Sequence, residues 1–143
     1  MARTVTHCAE SPEQVWEVLA DPQSYAEWVV GTEAIRDADA SWPAPGSKLH
    51  HRVGWGPLKL NDHTEVLESA PPNRLVLQAN ARPLGSARVT MEVAPEGRGA
   101  RVTMLEGPGD AISRLLHNPL FDALVARRNV ESLRRLASLA SRA

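Results

Sequence analysis

The sequence predicts an α+β domain: a concave antiparallel sheet of six to seven strands under a long C-terminal helix, with two short helices after the first strand. Three observations point there. Between residues 47 and 106, apolar and polar side chains alternate in short runs separated by Pro- and Gly-rich turns, the pattern of an antiparallel meander. From Asp110 the period changes. Past Asn118-Pro119, residues Phe121, Val125, Leu136 and Leu139 fall along one side of a 3.6-residue helix. A length of 143 residues suits one domain, 1–143, large enough to bury a core without staples.

The first strand alternates with Val5, His7 and Ala9 on one face and Thr4, Thr6 and Cys8 on the other. Ser11-Pro12-Glu13-Gln14 is a capping box with proline at the first helical position, and Val15, Trp16, Val18 and Leu19 make the apolar face of the helix it starts. Asp21-Pro22 begins a second short helical stretch through Tyr25 and Trp28, which Gly31 ends. After the turn-rich Trp42-Pro43-Ala44-Pro45-Gly46, the strands come in sequence. Leu49, His51, Val53 and Trp55 alternate up to a Gly54–Pro57 turn, and Leu58, Leu60, Asp62, Thr64 and Val66 return. Leu75, Leu77 and Ala79 follow Pro71-Pro72-Asn73, and Ala87, Val89, Met91 and Val93 follow the next turn. Val102, Met104 and Glu106 complete the meander before Gly107-Pro108-Gly109 ends it. Asp110 is a good N-cap for the closing helical segment. A helix of roughly 22 residues is about 33 Å long, enough to cross the domain. Asn129 and Ser132 lie in its apolar stripe, with Arg128 at the margin. Polar residues inside that stripe imply space between helix and sheet.

Composition narrows the function classes. A formal charge of −1 supplies no global field for nucleic acid or acidic membranes. The arginines at 127, 128, 134, 135 and 142 read as the solvated face of a helix. Cys8 is the single cysteine, which excludes a disulfide framework and a thiolate metal cage. No signal peptide is recognisable and no apolar run reaches the roughly 20 residues that span a bilayer, so a cytoplasmic protein without stable membrane insertion is expected. Arginine and alanine far outnumber lysine (Lys48 and Lys59), a hint of a GC-rich bacterial genome. His50 and His51 are adjacent, hence on opposite strand faces and a poor metal pair. No phosphate-binding glycine loop and no nucleophile elbow occurs. Neither a metal nor a cofactor is expected.

In the order strand, two short helices, meander, long helix, the chain resembles the polyketide cyclase/dehydrase and lipid-transport superfamily, the START-related helix-grip proteins. The resemblance covers essentially the whole chain. It is carried by Ser11-Pro12-Glu13-Gln14-Val15-Trp16 with Leu19-Ala20-Asp21-Pro22, by Tyr25 and Trp28, and by Trp42-Pro43 with Gly46. Glu65-Val66 with Pro71-Pro72-Asn73-Arg74-Leu75 matches a strand-turn-strand of that group, as does the ending Asn118-Pro119-Leu120 with Arg128-Asn129-Val130-Glu131-Ser132-Leu133. The resemblance implies a sheet wrapped around the last helix with an apolar pocket between them. It leaves function open, because this fold hosts carriers, cyclases and regulators alike.

If the apolar face of each strand points inward, His7, His51, Asp62 and Glu106 come with it, and Thr64 as a milder fifth. An ionisable group on an apolar face costs several kcal/mol unless paired or wetted, so such groups have a partner, a cavity or a task. A one-residue register slip would instead move each of them to solvent. Ligand-lining candidates are His7, Trp28, Val53, Thr64, Leu77, Met91, Met104, Phe121, Val125 and Asn129, with Trp55 a candidate lid on its hairpin tip. The leading expectation is binding or transport of a small hydrophobic or amphipathic ligand, such as a lipid, polyketide or aromatic metabolite. The alternative is an aromatase/cyclase or dehydratase in which His51 with Asp62 or Glu106 moves protons. A regulatory or co-chaperone-like module ranks third. The partner is then the small ligand and not nucleic acid, and the protein a monomer or homodimer.

Overall fold

A computed structural model of the chain describes residues 2–55, 57–83, 85–116 and 118–142; the side chains of Trp55, Leu116 and Phe121 lie outside that description. The element order is β1 (Ala2–Cys8), α1 (Pro12–Leu19), a 3₁₀ turn (Pro22–Ser24), α2 (Tyr25–Trp28), β2 (Thr32–Ala38), β3 (Lys48–Trp55), β4 (Leu58–Ala70), β5 (Arg74–Asn80), β6 (Ser86–Glu96), β7 (Gly99–Pro108), α3 (Ala111–Leu116) and α4 (Pro119–Arg142). All seven strands form one antiparallel sheet in the order β1-β7-β6-β5-β4-β3-β2. The sheet is a curved meander, except that the first strand docks beside the last.

Local chemistry accounts for the corner that follows β1. Ser11 accepts from the Gln14 amide while Gln14 reaches back to the Ser11 N–H at 3.0 Å, a reciprocal capping box. Asp21 caps the 3₁₀ turn through the Gln23 amide. Tyr25 Oη and Trp42 Nε1 both donate to the Leu19 carbonyl, which satisfies the end of α1 from within the core. Tyr25 and Trp28 pack tilted with centroids 5.0 Å apart, and Trp42 meets Tyr25 edge-on.

Two elements differ from the sequence reading. β2 (TEAIRDA) is a strand the sequence reading does not place: two register shifts interrupt its pairing with β3, and a bulge displaces the inward/outward period by one residue, so no clean alternation marks it. The closing helical segment is two helices, not one, with the break before Pro119. Asp110 does cap the first of them, accepting from the Ser113 amide at 2.8 Å.

At 24 residues, α4 is about 36 Å long. It packs along β1 and against α1 and α2, and touches β7. Leu133, Leu136 and Ala140 are fully buried there with Val15, Leu19 and Val102. All of these anchors lie in its second half. In the first half Leu120 and Leu124 are exposed, and among the described residues no comparable packing joins α4 to β3, β4 or β5.

Candidate functional site

The inner face of the sheet can be read across its register. One row runs Ala2, Glu106, Val89, Leu77, Val66 from β1 to β4. The next row toward α3 runs Pro108, Ala87, Ala79, Thr64, Leu49 from β7 to β3. Where the first row is filled by valine and leucine, the second has alanine on two adjacent strands, and Ala79 and Ala87 stay partly exposed. Alanine there presents less side-chain volume than the valine and leucine of the first row.

His51 and Asp62 face each other directly across β3 and β4, as counting from their hairpin predicts, and both are buried, at 5% and 6% exposure. They are not hydrogen-bonded to each other. Asp62 is taken by Arg82, whose backbone N–H, Nε and guanidinium donate at 2.9, 3.1 and 2.8 Å, and by the His63 amide at 2.9 Å. Burial works to raise the Asp62 pKa, but these donors prevail and hold it at about 2. Neither ring nitrogen of buried His51 has a partner. Burial pushes its pKa down; the Asp62 carboxylate and the neighbouring His63 backbone, too poorly aligned to count as a hydrogen-bond partner, pull it up more weakly. His51 is therefore a neutral imidazole at pH 7 with an available lone pair and an available N–H. Behind the pair, Arg36 donates to the carbonyls of both His51 and Asp62, pinning that rung of the sheet.

Glu106 forms a second polar station. Its side chain is 10% exposed, and Arg128 of α4 donates to both of its oxygens at 2.8 Å. The same guanidinium approaches the Asn129 Oδ1 at 3.4 Å. Asn129 is fully buried, and its Nδ2 has no partner. Ser132, one turn on, accepts from the Val30 amide at 3.0 Å and so ties α4 to the end of α2. The two stations are three strands apart, about 14 Å across the sheet, and Asp62 lies four residues (about 13 Å) along β4 from the Glu106 row. Between them the surface is apolar.

The expected lining residues divide into groups. Thr64, Leu77, Met91 and Met104 lie on the inner face and are buried, and Val53 and Val125 are partly exposed. Met91, at 0% exposure, sits between Leu75 and Met104 in the core. Trp28, expected to line the ligand site, is 1% exposed in the aromatic corner of the core. The Phe121 and Trp55 side chains lie outside the described residues. His7 is a correction: β1 turns Ala2, Thr4 and Cys8 inward, and His7 projects to solvent, where Nδ1 pairs with Glu96 Oε1 at 2.6 Å. With Val5 as its only large apolar residue, the strand carries an alternation too weak to choose between faces. Sequence reasoning missed Arg82 and Arg36. Arg82 sits in a turn before Pro83, and Arg36 in a bulged strand, where no periodicity marks a side chain as inward. Among the described residues no cluster of three or more His, Cys, Asp or Glu side chains converges as a metal site, and no helix is long and apolar enough to cross a membrane.

The family model described as polyketide cyclase / dehydrase and lipid transport matches residues 2–141. No functionally curated protein matches the chain. Solved structures share the fold at low identity. Protein NE0264 from Nitrosomonas europaea is 18% identical with TM-score 0.72, over 98% of this chain and 93% of that one. Protein TTHA0849 from Thermus thermophilus is 19% identical with TM-score 0.73, over 97% and 95%. CalU16 from Micromonospora echinospora is 16% identical with TM-score 0.67, over 97% and 74%.

Proposed function

We propose that this chain, which belongs to the polyketide cyclase/dehydrase and lipid transport family, binds a small hydrophobic or amphipathic molecule between the inner face of its sheet and the first half of α4. The observation that carries the reading is His51. It is a buried imidazole facing an otherwise largely apolar surface, with both ring nitrogens unpartnered, and leaving such groups unpaired is costly unless something else meets them. The alanine row of Ala79 and Ala87, and the one-sided packing of α4, support space for an occupant. Burial of the ligand's apolar surface supplies most of the affinity, at about 25 cal/mol per Å², and His51 orients its polar end.

Nile red, a neutral hydrophobic fluorophore, tests this directly. It binds saturably, and Ala79→Phe, which fills the row beside Thr64, weakens binding about tenfold, whereas wild-type affinity in that variant would count against the cavity. A second reading, polyketide cyclase or dehydratase, is favoured by the same histidine. Asp62 and Glu106 are each paired with an arginine, so among the described residues His51 is the inward group poised to take a proton from an enolising carbon. Under that reading His51→Gln abolishes turnover of an enolisable ketone while ligand affinity changes little. A carrier shows no turnover to abolish.

A further inference from the structure

The interior is unbalanced in a specific way. Trp28 Nε1, Arg128 Nε and Asn129 Nδ2 are buried atoms that can only donate, and none has an acceptor. The Asn129 amide is held in this orientation because the opposite one would set its NH₂ against the Arg128 guanidinium, donor against donor, where Oδ1 accepts at 3.4 Å. The other unpartnered buried atoms, the Thr4 hydroxyl oxygen and the two His51 ring nitrogens, each bring a donor for every acceptor and leave that excess of donors in place, while the carboxylates are engaged. Both oxygens of Asp62 are engaged by Arg82 and the His63 amide, and both oxygens of Glu106 by Arg128. The charges are also cancelled, one arginine to each carboxylate.

From this we infer that the ligand is selected for a neutral acceptor oxygen, a ketone or ester carbonyl, received by the Asn129 amide on α4. The inference rests on the proposed ligand cavity and adds the chemical class of its occupant. A carbonyl brings an acceptor and nothing else. A carboxylate would bring a second buried anion beside Glu106, whose charge is already matched by Arg128, and burying an uncompensated charge is unfavourable. An amine would bring further donors to a place that already has them in excess. A site built to satisfy a buried hydrogen-bonding group discriminates strongly against an analogue that leaves it unpaired.

Three probes of nearly equal size separate the possibilities: β-acetylnaphthalene (ketone), β-ethylnaphthalene (hydrocarbon) and β-naphthoate (anion), each competed against Nile red at pH 7.5. The ketone binds about tenfold tighter than the hydrocarbon, and naphthoate binds more weakly than the ketone. Asn129→Leu abolishes the preference for ketone over hydrocarbon and leaves hydrocarbon affinity within about threefold. In the wild-type protein the Asn129 side-chain amide protons shift on adding the ketone and not the hydrocarbon, a readout that stands even if Asn129→Leu fails to fold. Equal binding of ketone and hydrocarbon, tighter binding of naphthoate, or an Asn129 amide indifferent to the ketone would overturn the carbonyl assignment while leaving the cavity intact. Failure of all three probes and of Nile red to bind would overturn the cavity itself, and this inference with it.

Discussion

Asp62→Asn is the most informative single change, because it removes a charge while keeping shape. The side chain is 2% exposed and receives four hydrogen bonds, three of them from Arg82. Its pKa is depressed from 3.8 to about 2, which corresponds to about 2 kcal/mol of stability at neutral pH. Arg82 is itself solvent-exposed, so screening reduces the figure to about 1–2 kcal/mol. The sign follows from the direction of the shift. A depressed carboxylate stabilises the fold fully above its unfolded pKa near 4, and the contribution is lost as pH falls through about 2. The wild type should therefore exceed Asp62→Asn by about 1–2 kcal/mol at pH 7, about 3–6 °C in Tm, and the gap should narrow between about pH 4 and pH 2. Urea denaturation at pH 7, 4 and 2.5 measures this. In the same variant the His51 titration, followed by NMR, should move lower still, because the nearby carboxylate that raises it is gone. A gap below about 0.5 kcal/mol at pH 7 would refute the reasoning, as would a gap of the same size at pH 2.5 or an unmoved His51.

The Glu106–Arg128 pair gives a complementary test: Arg128→Met leaves a buried carboxylate unpaired and should cost about 2–3 kcal/mol by chemical denaturation, less than for a fully buried pair because Arg128 is one-third exposed. Glu106→Leu combined with Arg128→Met should be more stable than Arg128→Met alone. At the start of β7, a Cβ on Gly99 would stand 1.9 Å from the backbone oxygen of Cys8, so Gly99→Ala should cost about 1–3 kcal/mol, seen as a lowered denaturation midpoint. His7→Ala, on the outer face, should change stability by no more than about 0.5 kcal/mol and leave Nile red binding as in the wild type.

Much of the architecture is legible in the chain because its signals are local. The Ser11–Gln14 capping box, the Asp110 cap, and the alternation around Leu49–Val53, Leu75–Ala79 and Val89–Val93 each depend on neighbours within a few residues. The same holds for the facing of His51 and Asp62, since a short hairpin sets register by counting outward from its turn. Local alternation failed where it was weak or interrupted. β1 has too few apolar residues to choose a face, so its alternation points His7 to the wrong side, and the bulged β2 shows no period at all.

Caps, turns and periodicity suffice to mark an α+β domain of meandering strands closed by a helical segment, and they single out His51, Asp62 and Glu106 as ionisable residues among the apolar positions of β3, β4 and β7 while leaving register open. What those residues touch depends on tertiary contacts. Arg82 lies 20 residues from Asp62, and Arg128 lies 22 residues from Glu106; no local pattern couples positions that meet only when the sheet curls and α4 crosses it. That pairing neutralises both carboxylates and leaves the His51 ring nitrogens and Asn129 Nδ2 as buried atoms without partners. The physical reason is range: caps, turns and periodicity act over a few residues, whereas compensation of a buried charge is settled by whatever the fold brings within hydrogen-bonding distance of it.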